Sequence, residues 1–336
     1  MQTVQLCTLV DSASHAALNI PTNLPSPEAL FTDIVQCFDV LPIKPSDPNS
    51  IVNKLNDALK IIDIFTPGLC FYSRYNPNSN RFHTTFSSTP TVASTPISTD
   101  QFLHLFQIML DHNYVQVGNK FYTNQCGFPQ GLAPGSKTVN AYLLTCNLQF
   151  TLQHMHNPAG RIKIARIFSH MYQYVDDIAS LGSKTTETDL QEVYPPFIKF
   201  DSNTKKPLSL TFAQGTFLNL DIHTCLPDQI HHSVLFKEDK LPFTPVQYVK
   251  LESNRSINFC YNILIGQLYT AVFLNSNSHY FIQHLLKLVQ IFASNGFSTP
   301  TLKSKIKKYY ASKDFSAVAK FNVPQAVRSF LKHKQA

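Results

Sequence analysis

Hydrophobic positions along the chain recur with two different periods, and the changes of period mark its elements. Ile51, Leu55, Leu59 and Ile62 stand at helical spacing behind Asp47-Pro48, which reads as a cap with proline at the first helical position. The pattern predicts an amphipathic helix over 48–64. A second helix carries Phe102, Leu105, Phe106, Met109 and Leu110 on one face, with Thr99 or Asp100 as its cap. Leu30 to Phe38 reads as a short buried strand. Tyr114–Val117 and Lys120–Tyr122 flank Gly118-Asn119, a hairpin signal. Asn140 to His154 is helical by pattern. An apolar run from Ile164 to Tyr174 and a second from Ile178 to Leu181 enclose Val175-Asp176-Asp177, predicting strand, tight turn, strand. Thr216–Ile222 and Ser233–Phe236 read as two further strands. Beyond Pro245 the pattern is helical: Ile257 to Phe273, Tyr280 to Ala293, and a basic helix from about Thr301. Residues 1–27 look irregular, and 66–99, dense in Ser, Thr, Pro and Asn, look like a long surface insertion. Mixed strands and helices over 28–235, followed by a helical region over 236–336, predict an α+β fold.

Composition adds a partner class. The chain has 336 residues, with 28 Lys and Arg against 21 Asp and Glu, a net charge of +7. The excess is uneven: Lys303, Lys305, Lys307, Lys308, Lys313, Lys320, Arg328, Lys332 and Lys334 crowd the C-terminal end, where Asp314 is the only acid after position 300. Such a surface suits a phosphate backbone, and equally a solvated helix face. Seven dispersed cysteines without a C-x-x-C spacing point to reduced thiols. With no signal peptide and no apolar run long enough to span a bilayer, the expected location is intracellular, nuclear or cytoplasmic. His154, His156, His231 and His232 lack partners at zinc-finger spacing.

Three segments carry candidate chemistry. Tyr174-Val175-Asp176-Asp177 presents two acids at a hairpin tip between apolar flanks. That placement is costly unless a cation neutralises them, and Mg²⁺ binds through one or two carboxylates, water and substrate phosphates. Asp33 lies in a predicted strand, with Phe38 five residues on. Gly127-Phe128-Pro129-Gln130-Gly131 forms a turn before a helix. Nucleotidyl transfer uses two cations about 3.5–4 Å apart, bridged by carboxylates from separate strands. Asp33 and Asp176 suit that role if their strands are neighbours.

The order D-x-x-x-x-F, G-F-P-Q-G, Y-V-D-D and F-L-N-L-D-I resembles motifs A, B, C and E of reverse transcriptases. The stretch Phe217 to Ile222, then PVQYVKLESNRS and FASNGFS, resembles retrotransposon enzymes of the Penelope-like or non-LTR kind, and the likeness covers roughly 28–300. The resemblance implies a polymerase palm over 28–235 and a thumb over 236–336. It also implies RNA-directed DNA polymerase activity with two Mg²⁺ (or Mn²⁺) ions, an RNA template, a DNA primer and deoxynucleoside triphosphates. Carried over by position, Asp33, Asp176 and Asp177 are the catalytic carboxylates and metal ligands, with the main-chain carbonyl of Ile34. Phe38 is the gate against a ribose 2′-hydroxyl. Pro129, Gln130 and Gly131 line the nucleotide and template pocket, Phe217 to Ile222 form the primer grip, and Lys199 is the general acid among Lys184, Lys199, Lys205 and Lys206. Asp221 reads as structural.

Two departures stand out. The Ser and Pro expected after motif B are displaced in Leu132-Ala133-Pro134-Gly135-Ser136. Few residues precede Asp33, so the fingers are expected to be largely missing, or supplied by another domain or chain. A rival reading is a decayed or domesticated relative that binds nucleic acid without polymerising. An RNA-templated RNA polymerase fits less well, because Phe38 suits deoxynucleotides.

Overall fold

A computed structural model describes residues 8–10, 12–21, 23, 28–68, 70–78, 80–87, 89, 94–124, 126–129, 134–202, 214–218, 220–225, 229–236 and 248–333. The first elements are β1 (Thr8–Leu9), α1 (Ala13–Asn19), β2 (Ala29–Ile34), α2 (Cys37–Val40), α3 (Ile51–Phe65), β3 (Cys70–Asn76), β4 (Arg81–Ser87) and β5 (Thr95–Ile97). There follow α4 (Thr99–Asp111), β6 (Tyr114–Val117), β7 (Lys120–Thr123), α5 (Gly135–His154), α6 (Pro158–Phe168), β8 (Met171–Tyr174), β9 (Asp177–Leu181), α7 (Glu187–Val193) and β10 (Phe200–Ser202). The last are β11 (Gln214–Phe217), β12 (Leu220–Cys225), β13 (Gln229–Val234), α8 (Ile257–Phe273), α9 (Ser278–Ser294), α10 (Thr299–Ala311) and α11 (Val323–Lys332). The protein is α+β. No helix among the described residues is long and apolar enough to cross a membrane.

Two compact units interleave along the chain. One gathers residues 34–169 and 186–201; the other gathers 8–33, 170–185 and the described residues from 202 onward. In the first, α5 is the spine. It packs on α3, α6 and α7, and buries Val139, Tyr142, Leu143, Cys146 and Phe150. Ser50 caps α3, and Ser98 forms a reciprocal capping box with Gln101 at the start of α4. Residues 66–99, read as a surface insertion, hold a three-stranded antiparallel sheet in the order β4-β3-β5. Their serines, threonines and prolines obscure the period of two. Strands β6 and β7 pair in the expected register, with Val117 opposite Lys120.

In the second unit the central sheet has the order β1-β8-β9-β2. Residues 8–20, expected to be irregular, supply β1 and α1. Strand β1 runs parallel to β8, and Ser12 caps α1. The run Ile164 to Tyr174 is not one strand: it divides into the end of α6 and β8. Asn157 as cap and Pro158 at the first position of α6 are the overlooked helix signal. Thr216–Ile222 likewise divides into β11 and β12 around a turn at Leu218, whose φ is 49°. Gly215 lets β11 cross Phe31 closely, since a Cβ there would lie 2.1 Å from the Phe31 ring. Beyond these strands α8, α9, α10 and α11 share a core of Leu264, Leu268, Phe281, Leu285, Leu288, Phe292, Ile306 and Phe330.

Candidate functional site

The β8–β9 hairpin closes with Tyr174 opposite Asp177, leaving Val175 and Asp176 as the two-residue turn. Val175 adopts φ 51° and is 3% exposed. Positive φ strains a β-branched residue, and here it is held by burial of the side chain. The strained turn puts two successive carboxylates at one end of the sheet.

Strand β2 pairs antiparallel with β9, and the register sets Asp33 directly opposite Asp177. Directly opposed residues point to the same face with their Cβ atoms about 5 Å apart, and opposed like charges are destabilising. The same face continues through Phe31 opposite Ala179 and Ala29 opposite Leu181, which belong to the buried core of this unit. Asp33, Asp176 and Asp177 are all half-buried. The expectation that the strands of Asp33 and of the Asp-Asp turn are neighbours is met by this register.

Whether these residues suit a divalent cation can be judged from the donor set. Asp33 and Asp177, with Asp176 next in the turn, supply the hard oxygen donors Mg²⁺ requires, and one or two carboxylates suffice when water and phosphates complete the octahedron. Among the described residues, no three carboxylate, imidazole or thiol side chains are grouped closely enough to hold a metal between them. The arrangement is therefore a cross-strand carboxylate pair with a third acid beside it, rather than a closed three-ligand cage.

In the other unit the turn before α5 folds onto α2. Strand β2 stops at Ile34 because Gln36 turns left-handed at φ 51°. Phe38 thus sits on a helical turn and not at the end of a strand as expected. The Phe128 N–H donates to the Phe38 carbonyl at 2.6 Å, and the two rings lie 6.5 Å apart between centroids. Gly127 has φ +79°, and a Cβ there would lie 2.8 Å from the Asp39 carbonyl oxygen. Phe128 is buried, stacks near Phe106, and is flanked by half-buried Pro129. The structure therefore joins Phe38 with Gly127, Phe128 and Pro129. Gln130 and Gly131 lie outside the described residues, as do Lys205 and Lys206. The Lys199 side chain is exposed, and its carbonyl accepts from Val35 N at 2.9 Å.

On β12, Asp221 Oδ2 lies 3.4 Å from His223 Nε2. Along the helical region, residues 253–313 contain no Asp or Glu but carry Arg255, Lys287, Lys303, Lys305, Lys307, Lys308 and Lys313. Lys305 lies 3.9 Å from the Tyr261 ring centroid, and Lys307, Lys308 and Lys313 are exposed.

No family model matches the sequence, and no curated protein matches it. Among solved structures, the chain is similar to telomerase from Candida albicans, determined in complex with a TWJ fragment of telomeric RNA, at a TM-score of 0.50 and 12% sequence identity. The similarity covers 95% of this chain and 50% of that one, so the chain spans about half the length of the protein it matches. At this identity the likeness concerns the fold alone.

Proposed function

We propose that the chain is the polymerising part of an RNA-directed DNA polymerase of retroelement type, with 28–235 as palm and the helices after 236 as thumb. The observation that carries this reading is the register that sets Asp33 opposite Asp177 beside the Asp176 turn. Like charges held in register on neighbouring strands cost stability, and a site that binds cations offsets that cost. The fold likeness to a telomerase supports the same reading, and the acid-free basic helices are consistent with nucleic-acid binding.

In this reading Asp33, Asp176 and Asp177 hold and orient the reacting groups through their carboxylates, with the Ile34 carbonyl assisting. When bound, two Mg²⁺ or Mn²⁺ ions supply Lewis-acid polarisation of the primer hydroxyl and of the leaving pyrophosphate. Phe38 stands against the sugar of the incoming deoxynucleotide, Pro129, Gln130 and Gly131 shape the nucleotide and template pocket, and Lys199 donates a proton. Template RNA and primer DNA lie along the basic helices, which read backbone charge and A-like shape rather than sequence.

A second reading is a nucleic-acid-binding protein that does not polymerise. It is favoured by the lack of a three-ligand group among the described residues. Primer extension on an RNA template with Mg²⁺ separates the two. The polymerase reading expects extension by the wild type and a loss of at least about a thousandfold in Asp176→Ala, with hybrid binding retained. Salt-dependent binding without extension in either protein would replace it by the second reading.

A further inference from the structure

The end of β13, the segment after α8 and helix α9 line a cleft of about 220 Å³, with Ser233, Phe236, Asn275, Gln283, His284 and Lys287 among its walls. Its polar groups are unusual. Asn275 and His284 are only 1% and 4% exposed. Asn275 Nδ2 donates to the Ala271 carbonyl at 2.7 Å, which satisfies a last-turn acceptor of α8, and also to His284 Nδ1 at 3.0 Å. The carbonyl oxygen accepts only, so the atom facing it is the amide nitrogen and the orientation of Asn275 is fixed. His284 Nδ1 must then present its lone pair, which places the ring proton on Nε2. Burial holds this imidazole neutral, lowering its pKa to about 4.

One donor and one acceptor are left over. Among the described residues nothing donates to Asn275 Oδ1, which is buried; the His284 Nε2–H is not sealed in the same way and can donate into the cleft. Buried polar groups left in this state cost stability unless a ligand or water completes them. Phe236 forms one wall, edge-to-face with His284 at 5.3 Å between centroids, and the Lys287 ammonium lies 5.8 Å from the Phe236 ring centroid. The space falls below the roughly 300 Å³ at which sites for drug-sized molecules begin, and so suits one small ring system. The neutral imidazole offers an anion no ion pair, whereas an uncharged ring with a donor and an acceptor on its edge answers both unfilled groups.

We propose that this cleft binds a single nucleobase, which accepts from His284 Nε2–H, donates to Asn275 Oδ1 and packs on Phe236. The base can belong to a free nucleotide or to a single strand. The site is separate from the carboxylates, and Asp176→Ala should retain it whether or not the chain polymerises.

The test is a fluorescence titration with 2-aminopurine riboside, undisturbed by tryptophan because the chain has none. Competitors are adenosine monophosphate, a short oligonucleotide, its abasic counterpart and inorganic phosphate. Saturable binding that weakens about tenfold in both Phe236→Ala and His284→Gln, with thermal unfolding still cooperative, supports the proposal. An oligonucleotide that competes far better than the monophosphate, with the abasic strand inactive, identifies a base within a strand; equal competition identifies a free nucleotide. Because His284→Gln perturbs a buried residue, the His284 imidazole NMR resonance in the wild type is a second readout and should shift on titration. The proposal is overturned by an unmoved resonance at saturating riboside, which means a cleft holding water alone. Competition by inorganic phosphate equal to that of the monophosphate overturns it too.

Discussion

Phe38 and Gly127 depend on one another. The Phe38 carbonyl accepts from the residue after Gly127, and Gly127 approaches Asp39 more closely than any side chain allows. Gly127→Ala should therefore destabilise the protein by about 1–3 kcal/mol through its positive φ and the lost space, seen as a lower urea midpoint. Phe38→Val removes the ring without touching that backbone. If Phe38 gates the sugar, the ratio of ribonucleotide to deoxynucleotide incorporation should rise about tenfold or more; an unchanged ratio would remove the gate assignment. The candidate residues were legible in the sequence because aspartates, glycines and an aromatic stood in a familiar order. The contact of Phe128 with Phe38 was not, since it depends on a left-handed Gln36 that no local signal announces.

At the scale of elements, strongly periodic segments could be read and composite ones could not. Helix α8 lies where Ile257 to Phe273 predicted it, and the β6–β7 hairpin follows its Gly-Asn turn. The run Ile164 to Tyr174 misled because apolar residues continue across the junction of a helix and a strand. The Thr216–Ile222 run misled because Leu218, a poor turn former, makes the turn. Helix α10 carries its own prediction. Lys307, Lys308 and Lys313 are exposed on it and just beyond it, and in the polymerase reading each meets a phosphate. Replacing all three by Gln should weaken binding to an RNA–DNA hybrid at every sequence alike. The slope of log K against log salt should become shallower by roughly 2–3, because each contact contributes about 0.7–0.9.

The whole molecule has an acid limit set by two buried histidines. His232 joins β13 to distant parts of its unit: its N–H donates to Ser276 Oγ and its Nδ1–H to the Leu274 carbonyl. Its Nε2 accepts from Lys320, whose ammonium also donates to the carbonyls of Ala17 and Ile20. Burial, and then the Lys320 charge, lower the His232 pKa to about 4; burial alone does the same for His284. In the unfolded chain both titrate near 6.5, so between pH 6.5 and 4 the unfolded state binds more protons and stability falls as pH falls. Each imidazole contributes about 3 kcal/mol that is present above pH 6.5 and gone near pH 4. Urea melts across this window should show the loss, and His284→Gln should flatten the slope by about one proton. A flat profile from pH 7 to 4.5 would contradict the buried neutral state of both rings.

The pairing of Asp33 with Asp177 also has a consequence in time. Strand β2 is made well before its partner β9, which leaves the ribosome only after residues 34–169 of the other unit have been synthesised. At about 5–20 residues per second, β2 waits on the order of ten seconds for its partner, with its hydrogen-bonding edge unfilled. Such long-range closure is slow and exposes chains to association while it is pending. Damage to the β8–β9 hairpin would then appear first as poor yield of newly made protein, before any chemistry is measured.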